Sequence, residues 1–414
     1  MSRSTFWVRL ALGALVVAHP AGPANAAPPR FERISAAYAG AGQPAVTPDG
    51  RFVLFTATPR PPALQPNTAA TQAYVHVRAS RAYETVSVSS AGKPGDAHTQ
   101  AAAITPDGRY VALASRATNF APKAQTTVPV FVRDRVARTT VPLFLPGLKP
   151  SGSAGGVTSV AISANGRYVA FSLMGWDLVA GNPGSGSQAV GRVYLADRST
   201  RRLTVVSTGA DGRPALAEQV GQVALSADGR YVAFSSPESL TPDDRDAGRV
   251  DVYVRDVVAR RTALVSGSLA DDADYRLPRL DQAANVVAFL AARSTGSKVE
   301  VVSRAGTPLR ALPGPADVGW TTASSPAVDP SGRVVGYVGG NPGVLVSEPF
   351  GARLGTSTSE RLTQSDQPWC ALPGCGGNAL DVALSRDAAV AVLVTSARLT
   401  SDDLDNDADV YVRS

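Results

Sequence analysis

Residues 100–115, QAAAITPDGRYVALAS, limit what this chain can become more than any other stretch. At their centre, Thr105-Pro106-Asp107-Gly108 is turn chemistry. Proline presets φ at the first corner, aspartate bonds its own backbone, and glycine accepts a positive φ. Apolar runs on both sides, 101–104 and 110–114, make the turn the tip of a hairpin. The same unit stands at Pro48-Asp49-Gly50-Arg51, Ala164-Asn165-Gly166-Arg167, Ala227-Asp228-Gly229-Arg230 and Pro330-Ser331-Gly332-Arg333. Two worn copies keep the register, Ala283-Ala284-Asn285 and Asp387-Ala388-Ala389. The anchors fall at positions 49, 107, 165, 228, 283, 331 and 387, so the period is 48 to 63 residues.

A third apolar run follows each hairpin: 74–78, 130–134, 193–197, 252–256, 299–302 and 344–346. A fourth closes the unit at 83–89, 139–145, 203–207, 262–266, 307–312 and 360–365. Each repeat therefore supplies four strands, a to d. The last repeat has strands at 380–385, 390–395 and 410–413 and then stops, whereas the chain opens with an orphan strand at 31–35. Adding the orphan to the last repeat completes seven four-stranded sheets and closes a ring without a long free edge. The b strands, such as Tyr231-Val232-Ala233-Phe234, are almost continuously apolar, as expected of a sheet covered on both faces. The expected fold is an all-β seven-bladed β-propeller of antiparallel blades, closed by the N-terminal strand completing the C-terminal blade.

The first 26 residues read as a signal peptide: Arg3 and Arg9, an apolar run at 10–17, and the cleavage signal Ala24-Asn25-Ala26. Cleavage after Ala26 is expected to leave a single propeller domain, 27–414, in the periplasm or secreted. The apolar run is too short to span a bilayer as a helix, and no second long one follows. Losing the two arginines lowers the formal net charge from +6 to +4, spread along the chain. No basic stripe of the kind nucleic acid demands is present, and a monomer is expected.

The motifs Pro-Asp-Gly-Arg-Tyr-Val-Ala and Val-Tyr-Val-Arg-Asp resemble the TolB-like, WD-like β-propeller repeats of exported bacterial proteins, over roughly residues 31–414. The resemblance implies a scaffold that binds a partner or ligand, with some relatives being enzymes. The α/β domain that precedes the propeller in the family's namesake has no room between Ala27 and Phe31, so that protein's envelope role is not carried over.

Cys370 and Cys375, the only cysteines, lie in a Pro/Gly-rich loop and are expected to form a disulfide. So small a loop gains about 2 kcal/mol from the closure. Asp403, Asp405, Asp407 and Asp409 alternate through one acidic run. They resemble a calcium loop, because the ion needs six to eight oxygens gathered by a compact turn. They lack the glycine and late glutamate of an EF-hand, and a solvated acidic turn is the alternative. Residues 243–246 with Asp251 are a weaker echo. The arginines after the turns suggest an anion-binding ring or, as part of the blade plan, pairs such as Arg109 with Asp134 and Arg230 with Asp256.

His76 lies in a c strand, where a hydrogen-bonded, partly buried place is expected; His98 lies in a d–a loop on the face where propeller sites form. Two separated histidines cannot supply the histidine cluster of metal-dependent propeller lyases, and no Gly-x-Ser-x-Gly elbow is present. His98 and Trp176, in a long b–c loop, are the candidate ligand-binding residues. The expected function is a non-enzymatic binding module. It meets a protein or an envelope or extracellular glycan through the face of long b–c and d–a loops, with calcium as the one candidate cofactor. The alternative is a carbohydrate-active hydrolase or lyase with its site at the channel mouth, since paired carboxylates need only be placed by the fold.

Overall fold

A computed structural model describes residues 29–60, 70–120, 129–143, 156–174, 178, 191–215, 221–246, 248–269, 272–312, 321–341, 347–363, 377–405 and 407–414. Among them, 28 strands form seven four-stranded antiparallel sheets. Blade 1 is β2–β5 (Tyr38–Val46, Phe52–Pro59, Gln72–Val77, Ala82–Thr85) and blade 2 is β6–β9 (Thr99–Ile104, Tyr110–Ser115, Val130–Asp134, Thr139–Pro142). Blade 3 is β10–β13 (Val157–Ile162, Tyr168–Met174, Gly191–Asp197, Arg202–Val205) and blade 4 is β14–β17 (Val223–Leu225, Tyr231–Ser236, Asp251–Asp256, Arg261–Leu264). Blade 5 is β18–β21 (Asp274–Leu280, Val286–Arg293, Gly296–Ser303, Pro308–Leu312) and blade 6 is β22–β25 (Thr322–Val328, Val334–Gly340, Ser347–Arg353, Ser359–Arg361). Blade 7 joins β26–β28 (Ala379–Leu384, Ala391–Thr395, Asp409–Arg413) to β1 (Phe31–Arg33).

The expected closure is therefore present. Phe31, Glu32 and Arg33 pair with Arg413, Val412 and Tyr411. The backbones continue the pairing beyond the strand, with Ile34 N donating to Val410 O at 2.9 Å and Arg30 N to Ser414 O at 3.0 Å. One strand differs from expectation. Strand c of blade 6 is Ser347–Arg353, whereas 344–346 lie outside the described residues. Pro349, Gly351 and the buried Glu348 make it a weak strand by composition. Pairing with β23 along its whole length overrides that.

The core lies between blades rather than in one centre. Leu54, Val75 and Val86 of blade 1 pack on Val111, Leu113 and Phe131 of blade 2, and Ile34, Val392 and Val410 of blade 7 pack on Val53 and Phe55 of blade 1. The repeated turn explains itself at this interface. Thr105 Oγ1 donates to Asp107 at 2.5 Å, Asp107 accepts from Arg109 N at 2.9 Å, and Tyr110 N donates to Thr105 Oγ1 at 3.0 Å. Gly108 has φ +74°, and a Cβ there would meet the ring of Phe52 in the preceding blade at 2.3 Å. Gly166 and Gly229 abut Tyr110 and Tyr168 in the same way. Glycine is thus required both for its φ and for close approach of the neighbour's aromatic ring.

At this short-turn end the residue after each turn's first position forms an inter-blade ladder. Ala164 N donates to Ala227 O, Ala227 N to Gln282 O, Gln282 N to Pro330 O, and Arg386 N to Pro48 O. The ladder breaks where Pro48, Pro106 and Pro330 have no N–H to give. The b–c and d–a connections emerge at the opposite end.

Candidate functional site

The arginines of the short-turn face follow the blade plan. Arg109 pairs with Asp134 at 2.8 Å, Arg230 with Asp256 at 2.6 Å, and Arg167 with Asp197 at 2.6 Å. Each guanidinium also lies over the next ring, as Arg109 does over Tyr110 at 4.8 Å. Arg51 turns to its own Asp49, and Arg333 reaches Asp387 of the next blade at 3.4 Å. Charge on this face is satisfied blade by blade.

On the long-loop face, strand c of blades 4 and 7 begins with an aspartate two residues before a tyrosine. The strand period of two puts both side chains on one face. In blade 7 the Tyr411 hydroxyl donates to Asp403, and Ser35 Oγ donates to Asp409. In blade 4 the Tyr253 hydroxyl donates to Asp244, and Ser266 Oγ donates to Asp251. Each loop thereby gathers three carboxylates with oxygens within 4.8 Å of one another: Asp403, Asp405 and Asp409, and Asp244, Asp246 and Asp251.

What fills the two clusters differs. Arg33 from β1 enters the blade 7 loop, 2.5 Å from Asp409, 3.2 Å from Asp405 and 3.5 Å from Asp403. Arg60, following β3 of blade 1, meets Asp405 at 2.6 Å and Asp407 at 2.9 Å. The four acids expected to ligate calcium hold two guanidinium groups, and an ion at their centre would compete with Arg33. Burial works against the Arg33 charge, yet its bond to Asp409 and the other carboxylates hold its pKa above the usual value. Asp405, bonded to Arg60, is pulled down to about 2. Among the described residues no arginine pairs with the blade 4 cluster: Arg249 turns outward to Asp272 at 3.2 Å. Burial pushes Asp251 up to about 6, helped by the charges of Asp244 and Asp246.

His98 is exposed, and its Nδ1 accepts from Thr71 N at 3.0 Å and lies 3.2 Å from Thr71 Oγ1. Its Nδ1 is committed to Thr71 of the neighbouring loop, and no carboxylate bonds the ring among the described residues. His76 departs from expectation. It is fully buried, neither ring nitrogen has a hydrogen-bond partner, and Glu32 of β1 lies 3.9 Å from Nε2. Burial lowers its pKa. Cys370, Cys375 and Trp176 lie outside the described residues, as do Trp320 and Trp369.

The seven a strands surround a channel. Two residues before each turn stand Ala45, Ala103, Ala161, Ala224, Ala327 and Ala383, and in blade 5 Arg279. Arg279 and Asp381 line a channel cavity of about 290 Å³ otherwise walled largely by aliphatic side chains, proline and alanine. These two charges interrupt a wall that the other a strands line with small and aliphatic residues. Aligning the repeats on their turns exposes the first, because arginine stands where six blades place alanine.

No protein-family model matches the sequence, and no curated protein does. Solved structures match over nearly the whole chain. An oligogalacturonate lyase in complex with manganese is 12% identical over 94% of this chain and 96% of that one, with a TM-score of 0.54. The Cps50 (Swd1) β-propeller domain of Myceliophteria thermophila is 10% identical over 92% and 99%, again at 0.54. TolB from Acinetobacter baumannii is 15% identical over 78% of this chain and 64% of that one, with a TM-score of 0.42. At such identities the likeness shows the fold alone, a β-propeller.

Proposed function

We propose that this chain is an exported, non-enzymatic binding module that meets a protein or an envelope or extracellular glycan through its long-loop face. The observation that supports this reading is the asymmetry between the two faces. Repeated arginines and aspartates of the short-turn face close on one another. The unrepeated groups, among them Asp244, Asp246, Asp251 and His98, gather on the opposite face. Export rests on the leader at 1–26; no helix among the described residues is long and apolar enough to cross a membrane. The test is capture from a native envelope fraction, with and without chelator. Asp244→Ala/Asp246→Ala should reduce the captured partner at least tenfold, whereas Arg109→Ala/Arg230→Ala should not. Equal loss in both variants rejects the reading.

A calcium ion at Asp403, Asp405, Asp407 and Asp409 is a further proposal, supported by the convergence of three of those carboxylates. Calcium affinity unchanged in Asp405→Ala/Asp407→Ala rejects it. The competing reading, a hydrolase or lyase on carbohydrate at the channel mouth, draws its support from the channel charges Arg279 and Asp381. Turnover of an oligosaccharide panel that disappears with Arg279→Ala would favour it over the binder.

A further inference from the structure

Blade 5 departs from its six sisters inside the channel. Strand β18 carries Leu277 at φ +57°, followed by Pro278, and its pairing with β19 slips between Arg276 and Arg279. Blades 1 and 6 make the same bulge at Gln43-Pro44 and Ser325-Pro326 but follow it with Ala45 and Ala327, so it is the arginine at 279, not the bulge, that sets blade 5 apart. Two blades on, β26 slips between Ala379 and Asp381, and Asp381 lines the same cavity. The two charges do not meet. Arg279 donates to the carbonyl of its neighbour Pro278 at 3.2 Å, and Asp381 accepts from the amide of its neighbour Val382 at 2.9 Å. No ion pair joins them to each other or to another side chain among the described residues.

Both side chains are half-buried in the channel wall, and partial desolvation is costly for charges left apart. Desolvation pushes the Arg279 pKa down and the Asp381 pKa up, each being partly held by the field of the other. A lone anion would meet Arg279 but be repelled by Asp381, and a lone cation would face the reverse. Only a dipolar molecule satisfies both. The last residue of each a strand, among them Val46, Ile104 and Leu280, adds an aliphatic ring to the wall of the same cavity. The volume of about 290 Å³ lies at the small end of the roughly 300–1,000 Å³ typical of small-molecule sites.

We propose that the channel binds a small zwitterion, an amino acid or a close relative, with its carboxylate on Arg279 and its ammonium on Asp381. This goes beyond the long-loop function and uses none of its residues.

The test is titration calorimetry on the full chain at neutral pH. The probes are glycine, leucine, 4-aminobutyrate and 5-aminovalerate, with acetate and methylammonium as single-charge controls. The spacer series reads the gap between the two protein charges. At least one zwitterion should bind tenfold or more tightly than either control. Arg279→Ala and Asp381→Asn should each weaken it at least tenfold. Arg279→Ala restores the residue that six blades already carry, so a folded variant is expected, and a thermal melt verifies it. Three results overturn the proposal: no saturable binding by any zwitterion, acetate binding as tightly as the best zwitterion, or affinity unchanged in both variants. Equal loss of capture in the Asp244→Ala/Asp246→Ala and Arg109→Ala/Arg230→Ala variants, with zwitterion binding intact, would reject the long-loop reading alone.

Discussion

The acidic loops of blades 4 and 7 are built to one plan and reach opposite electrostatic ends. Both place a buried aspartate at the head of strand c, under a serine hydroxyl from the neighbouring d segment. In both, the tyrosine two residues on bonds the first acid of the loop. Blade 7 receives Arg33 from the strand that closes the ring and Arg60 from the adjoining blade. Blade 4 receives neither: its Asp251 is pushed up to about 6, whereas in blade 7 Asp405, beside Arg60, is pulled down to about 2. The lesson is that one carboxylate cluster is a structural fastener or a stored electrostatic cost according to which segment arrives beside it. At the seam of the ring, the fastener ties β1 to the last blade through charge as well as backbone pairing.

The largest expected effect comes from breaking the fastener. Arg33→Met strands Asp403 and Asp409, both buried, and removing one member of a buried ion network costs about 3–5 kcal/mol. Urea unfolding should show this as a lower midpoint. An unchanged midpoint would mean that the seam is held by its backbone pairing alone.

The opposite sign is expected in blade 4. Asn at position 251 keeps the shape and removes the unsatisfied charge, so Asp251→Asn should stabilise the protein at pH 7.5 by about 2–3 kcal/mol, the equivalent of a shift of some two pKa units. A destabilised variant would show that a cation already compensates this site.

The same difference should appear in pH dependence. The folded pKa of Asp251 lies above its unfolded value of 3.8. Its contribution is thus complete below 3.8 and lost as pH rises through 6, and Asp251→Asn should flatten the stability profile in that window. Asp405 is lowered, so its contribution is present above 3.8 and lost only as pH falls toward 2. Carboxyl-resolved NMR titration, with midpoints near 6 and near 2, checks both. The smallest effect is expected for Arg60→Ala, because its partners Asp405 and Asp407 are both partly solvent-exposed and Arg33 stays beside Asp405. The loss should not exceed about 1 kcal/mol and should shrink in high salt.

Much of the architecture could be read from spacing. The turn anchors, the four runs per repeat and the orphan strand at 31–35 lead to seven blades and the closure because hairpin chemistry is local. The pairs Arg109–Asp134 and Arg230–Asp256 were likewise visible, since the residue after an a–b turn and the end of strand c must share a face. The placement of strand c in blade 6 was not, because Pro349 and Gly351 speak against a strand that neighbouring β23 nevertheless imposes.

The acids at 403–409 show where local reading ends. Their alternation was plain, but Arg33 and Arg60 lie more than 340 residues away and reach them only because the ring closes. By itself, the sequence determined a seven-fold repeat of hairpins and which residues each turn requires, since those constraints act within a few residues of chain. Only the tertiary structure decided which acids are neutralised, which stay desolvated and unpaired, and that Arg279 and Asp381 face one channel. Electrostatic partnership depends on distance in space, and ring closure brings together residues that no local pattern connects.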